Sequence, residues 1–297
     1  MIDEITLRYG EFVNRDGELK RFCNIVDDSE YMVMVICGET GIGKTSLHKR
    51  LIYECRDIRK MRWAETFWLN TRSYNYMTVM RKIRDDVGAD KFQQFTDLLN
   101  YFTKSDYKLT LDVQHAGEIN VLDKAEIKDS EIGTVAAVVI KDLNINTPRE
   151  DKEIREQERM FRLTQQFLSD LAAALGDQQI VILVDDVEKM TPETRDWLWT
   201  EFVRGAMDRN MSQIKFVFCI DAEPDLADEF MQRKVRSAAL KLLSEENIFE
   251  YLNKRKVGNE ADRRGLAQMI MATGNGKPST MAEMVKAFLT YSQNRDD

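Results

Sequence analysis

The segment GETGIGKT, Gly38 to Thr45, places three glycines ahead of a lysine and a threonine, directly after the apolar run YMVMVIC. It matches the pattern G-x-x-x-x-G-K-[ST]. Glycines in that spacing let the backbone curl until successive N–H groups face one anion. Gly38, Glu39, Thr40, Gly41, Ile42 and Gly43 would supply the curl, and Lys44, Thr45 and Ser46 a helix start. Lys44 is suited to bridge the outer two phosphates of a nucleoside triphosphate, and the Thr45 hydroxyl to ligate Mg²⁺.

Such a cradle needs an acidic partner for the metal, and QIVILVDDVEKM provides one at the end of a second apolar run. Asp185 is placed to hold Mg²⁺ through water, and Asp186 to act as general base on the attacking water, with Glu188 the weaker candidate for that role. A third run, IKFVFCIDAEP, ends at Asp221, where P-loop enzymes with an added central strand carry a γ-phosphate sensor. A carboxylate repels phosphate, so Asp221 reads better as a cap or loop contact.

These residues need strands to carry them. Apolar runs of strand length fall at Tyr31–Cys37, Ala64–Leu69, Gln179–Val184 and Ile214–Ile220. Helical periodicity separates them at Thr45–Ile58, Tyr76–Val87, Phe92–Phe102 and Asp151–Leu175. Strands apolar throughout, alternating with helices, predict an α/β fold: a parallel sheet covered on both faces. Two regions depart from that order. Tyr107–Asn146 is rich in Val, Ile and Thr, with alternating pieces such as KLTLDV, and reads as an insert of antiparallel hairpins. From Ser244 onward three helical segments follow, predicting a small helical lid. The expected organisation is a leading segment 1–30, a P-loop domain 31–240 with its β-rich insert at about 107–146, and a lid 241–297.

Composition narrows the class. With 43 basic and 51 acidic residues in 297, the net charge of −8 disfavours a body built to coat nucleic acid, although local basic clusters (Arg233, Lys234 and Arg236; Asn253–Lys256) leave nucleic acid possible. The start MIDEITLRYG has no apolar core of a signal peptide, and no run approaches the length of a membrane span. Four scattered cysteines and two histidines give no CxxC or metal-ligand spacing, which suits a reducing cytoplasm. They also leave little room for a Ser-His-Asp hydrolase.

The segment FVNRDGELKRF (Phe12–Phe22) resembles the F-[VI]-G-R-x-x-E-L box that precedes the P-loop in STAND NTPases and their AAA+ relatives of the origin-recognition type. The resemblance implies that Arg15 lies beside the nucleotide and that Glu18 and Leu19 begin the first helix. Asn14 stands where glycine is usual, and Asn tolerates a left-handed backbone better than most residues. In the tail, Gly276-Lys277-Pro278 resembles the G-x-P motif of the helical subdomain that covers adenine, and ALKLLSEENIFEYLNKRK resembles the segment leading into it. The motifs keep family order from Phe12 to about Tyr291. They imply ATP and Mg²⁺ as ligands, slow hydrolysis, and an ATP-dependent switch that forms a homo-oligomer or acts on a separate effector or sensor protein, often in bacterial antiviral defence. The chain would be a stand-alone ATPase or the core of a larger protein. The alternative is an AAA+ ATPase that encircles DNA, of the origin-recognition or transposition-regulator type.

Overall fold

In the computed structural model, residues 13–28, 30–66, 74–114, 149–226 and 228–293 are described. They run in the order α1 (Asp16–Asp27), β1 (Val33–Cys37), α2 (Lys44–Tyr53), β2 (Arg62–Thr66), α3 (Tyr76–Val87), α4 (Gln93–Gln114) and α5 (Arg149–Leu175). There follow β3 (Ile180–Val184), α6 (Pro192–Trp197), α7 (Arg204–Asp208), β4 (Ile214–Ile220), α8 (Glu229–Lys234) and β5 (Val235–Ala239). Helices α9 (Glu245–Lys254), α10 (Glu260–Gly274) and α11 (Pro278–Gln293) close the chain. The described residues within 92–170 form one compact unit, and the described residues on either side form the other.

The larger unit holds five strands in the order β2-β3-β4-β1-β5, every pair parallel. All residues of β1 and β3, and all but the last of β4, are buried, as expected of strands covered on both faces. On one face Phe22 and Ile25 of α1 and Leu47 and Leu51 of α2 pack with Met34, Ile36, Leu183 and Val217. On the other, Trp197 stacks on Phe202 at 5.2 Å, and Phe202 meets the edge of Phe216 at 5.3 Å. Because β4 lies between β1 and β3, the loops after three adjacent strands open at one sheet edge, where α/β sheets place their ligands.

Strand β5 was not expected. VRSAA is short, has small residues and a charge, and only Val235 and Ala238 are buried, the mark of an edge strand. Arg236, read from sequence as part of a basic cluster, lies over the Tyr31 ring at 3.9 Å. The lid helices have their own core of Ile248, Leu252, Leu266, Ile270 and Val285. Reciprocal capping boxes start two of them, Ser244 with Asn247 and Asn259 with Asp262.

In the smaller unit, Phe92, just before α4, and Phe95 within it each meet Phe167 of α5 with ring centroids 5.2 Å apart. The Phe95 N–H donates to Asp170 Oδ2 at 2.9 Å. The hairpin reading of Tyr107–Gln114 is corrected here: α4 continues through Gln114. Once a helix is nucleated each added residue gains a hydrogen bond, which outweighs the weak β preference of KLTLDV. The remainder of the expected insert, up to Asn146, lies outside the described residues.

Candidate functional site

The chain turns from β1 into the glycine loop and straight into α2, whose N-cap is Gly43. Lys44 opens the helix with its side chain only 7 % exposed, while Thr45 and Ser46 face solvent, as do Glu39 and Thr40. The Lys44 ammonium donates to the Gly38 carbonyl at 2.7 Å and to Asp221 Oδ1 at 2.5 Å, with Glu188 Oε1 at 3.7 Å. Burial pulls this ammonium down, but the hydrogen bond it donates to Asp221 and the nearby carboxylates more than offset it, leaving it above its ordinary value. Asp221, at the tip of the central β4, is thus bound to the cradle lysine itself.

The acidic strand end separates its carboxylates. Asp185 is 2 % exposed, its N–H donates to Thr66 O at 2.9 Å, and its Oδ1 accepts from the Asp186 N–H at 3.0 Å. Asp186 adopts a left-handed φ of 55° and its carboxylate pairs with Lys189 at 2.9 Å. Of the carboxylates that follow β3, Glu188 is the one paired with Lys44. Its Oε2 is buried without a hydrogen-bond partner, and burial above all raises its carboxyl over the ordinary range. Cys219, fully buried on β4, has its thiol held well above the ordinary range by burial, with Asp185 adding to the effect.

Two segments far apart in sequence also meet this loop. Asn14 takes φ 51°, the left-handed turn its amide tolerates, and aims Arg15 inward. The Arg15 guanidinium is buried and donates to Ile42 O at 3.2 Å and Lys241 O at 2.9 Å, tying the loop to the start of the lid. Burial lowers it from its ordinary value, with Glu18 opposing. From the lid, the Pro278 ring sits 3.6 Å from where a side chain on Gly43 would begin, and the Ser279 N–H donates to Gly41 O at 3.1 Å. Lys277 pairs with Glu39 at 3.6 Å. Ser279 was not singled out in the sequence, and Lys277 entered only as the middle position of the G-x-P match. The one signal for Ser279 is adjacency to Pro278, the first residue of α11.

The lid's own turn depends on Gly276. It has φ 77°, and a Cβ there would stand 2.0 Å from the Leu243 carbonyl oxygen, whose residue's N–H donates to Gly276 O at 2.9 Å. Gly276→Ala is therefore expected to destabilise the protein by about 2 kcal/mol or more, read as a lower urea midpoint. Gly265→Ala, inside α10 with open space at its Cβ, should instead stabilise by about 0.5–1 kcal/mol. Equal midpoints for both variants would contradict this packing.

A family model described as an ATPase domain predominantly from Archaea matches residues 12–220. Among solved structures, a chain in the E. coli MS115-1 HORMA:CdnC:Trip13 complex is 11% identical, with 95% of this chain and 91% of that chain covered and a TM-score of 0.47. C. elegans PCH-2 is 12% identical, with 97% and 67% covered and a TM-score of 0.34. Likeness at that level carries no ligand or partner across. No curated protein matches the chain. Among the described residues no helix is long and apolar enough to cross a membrane.

Proposed function

The chain belongs to the family of ATPase domains found predominantly in Archaea, and from that premise we propose a nucleotide-controlled switch of the STAND kind. In this reading it binds ATP with Mg²⁺ at loop 38–46, hydrolyses it slowly, and couples the phosphate to the lid. The observation that carries the reading is the bond from the Ser279 N–H to Gly41 O: the start of α11 rests on the same loop that would cradle phosphate.

The donor set fits the ligands. The Lys44 ammonium already lies against an anionic oxygen, Asp221 Oδ1, and a carbonyl, in place of phosphate oxygens. Thr45 and Asp185 supply the hard oxygen donors that Mg²⁺ prefers. When bound, that ion draws charge from the outer phosphates. Glu188 takes the role of general base in preference to Asp186, because it faces Lys44 and Asp186 is turned to Lys189. Arg15, bonded to Ile42 O and Lys241 O, and Pro278, packed at Gly43, would hold loop and lid in register when nucleotide binds.

A ligand changes the loop–lid arrangement only through its different affinities for the two states, and couplings of roughly 1–3 kcal/mol are typical. ATP is therefore expected to promote self-association or binding of a partner protein, and ADP not to. Size exclusion with light scattering under ATP, ADP and no nucleotide reads this. A larger mass with ATP, persisting in Glu188→Gln, is the expected result. Identical masses in all three states would leave an ATPase without a switch.

A further inference from the structure

Just beneath the phosphate loop, three chemically different side chains converge from three elements. His48 comes from the first turns of α2, Asp185 from the end of β3, and Cys219 from β4, one position beyond the last registered pair Val184↔Phe218. Their ligand atoms all lie within 4.8 Å of one another, with Cys219 Sγ 4.0 Å from His48 Nδ1. All three residues are buried, at 2 %, 2 % and 0 % exposure. His48 Nε2 is buried with no hydrogen-bond partner, and its nearest charged neighbour is Glu65 Oε2 at 3.8 Å. With Nε2 on the Glu65 side, the other ring nitrogen, Nδ1, is the one that faces the Cys219 thiol.

We propose that His48, Asp185 and Cys219 form a binding site for a thiophilic divalent transition metal of the zinc class. It competes with the nucleotide's Mg²⁺ for Asp185. The competition rests on the nucleotide reading above; the site itself does not.

The donor chemistry selects the ion. Mg²⁺ takes oxygen donors in an octahedron, whereas one imidazole nitrogen, one thiolate and one carboxylate suit tetrahedral Zn²⁺ or Co²⁺ with the fourth position left for water. Donor atoms on one such ion stand about 3.3–3.7 Å apart, so the three atoms need to draw in by about 1 Å or less each. Metal ligation through Nδ1 leaves Nε2–H facing Glu65, the carboxylate–histidine–metal arrangement that orients ligating histidines. The Cys219 thiol proton passes to solvent as the metal–sulfur bond forms, and no electron is transferred. A carboxylate drawn onto this ion is turned away from the magnesium position, so occupancy at this site weakens the magnesium site.

The test begins with the full chain, free of nucleotide and with its thiols reduced, titrated with Co²⁺. One equivalent should produce a near-ultraviolet sulfur-to-cobalt charge-transfer band. That band should vanish in Cys219→Ser, and cobalt affinity should fall roughly tenfold or more in His48→Gln. Cys219→Ala, checked by its thermal melt, guards against a variant that fails to fold. In a second arm Zn²⁺ should inhibit wild-type ATP turnover, excess Mg²⁺ should relieve it, and Cys219→Ser should resist it. Absence of the band, or a band unchanged in Cys219→Ser because another cysteine binds, would overturn the site. Zinc inhibition that Mg²⁺ does not relieve would overturn the competition. Failure of ATP binding would instead remove the nucleotide reading, with the cobalt band intact.

Discussion

Glu188→Gln is expected to slow ATP turnover by about 10²–10⁴-fold while ATP still binds, the span associated with losing a positioned general base. The reason is geometric. Its carboxylate lies 3.7 Å from the Lys44 ammonium with one oxygen buried and unpartnered. Asp186→Asn is expected to change turnover far less, because Asp186 is turned away by its left-handed backbone and engaged with Lys189. The charge of Glu188 also sets a pH dependence. Burial, first of all, raises its carboxyl above the ordinary range, and only the ionised form accepts a proton. Turnover should then rise as pH climbs through that raised value and fall below it, and Glu188→Gln should flatten the profile. Steady-state phosphate release across pH reads both. Wild-type turnover in Glu188→Gln together with loss in Asp186→Asn would reverse the two roles.

Lys44→Ala should weaken ATP binding by roughly 10–150-fold, the loss of one charge-assisted contact worth about 1.5–3 kcal/mol. The variant also leaves Asp221 without the cation that neutralises it at 2.5 Å, so a bare carboxylate faces the incoming phosphates. Asp221→Asn alone should have the opposite sign, tightening ATP binding, because phosphate no longer competes with a carboxylate for Lys44. Lys44→Ala with Asp221→Asn should recover part of the loss. Calorimetry on the four proteins closes a double-mutant cycle, and additive effects would contradict a direct competition between Asp221 and phosphate.

The parts legible in the sequence share a physical cause. Runs such as VMVIC, IVILV and IKFVFCI read as strands because a parallel sheet buried on both faces admits no alternation. The glycine loop and the Asp185-Asp186 pair stood out in the sequence because their residue types and spacing match what phosphate and metal chemistry would require. Strand β5 escaped because an edge strand needs few apolar residues, and VRSAA shows only two buried ones. KLTLDV misled because local alternation cannot report that a helix already under way reaches it. The ranking of Asp186 against Glu188 depends on one residue's φ of 55°, which spacing does not encode. Asp221 was read as a cap or loop contact, and its actual partner, Lys44, lies 177 positions away. Contact at that range is decided by strand order.

The central claim, that the phosphate loop and the lid are one device, is tested most directly at the Ser279 amide, whose N–H donates to Gly41 O at 3.1 Å. Hydrogen exchange at α11's first turn, compared under ATP, ADP and no nucleotide, reads that bond alone. If ATP draws Lys44 from Asp221 onto its third phosphate, the loop beneath the lid should shift. The account therefore predicts faster exchange with ATP than with ADP, by about tenfold for a coupling near 1.4 kcal/mol. Equal exchange at Ser279 in all three states, with ATP bound to saturation, would contradict it.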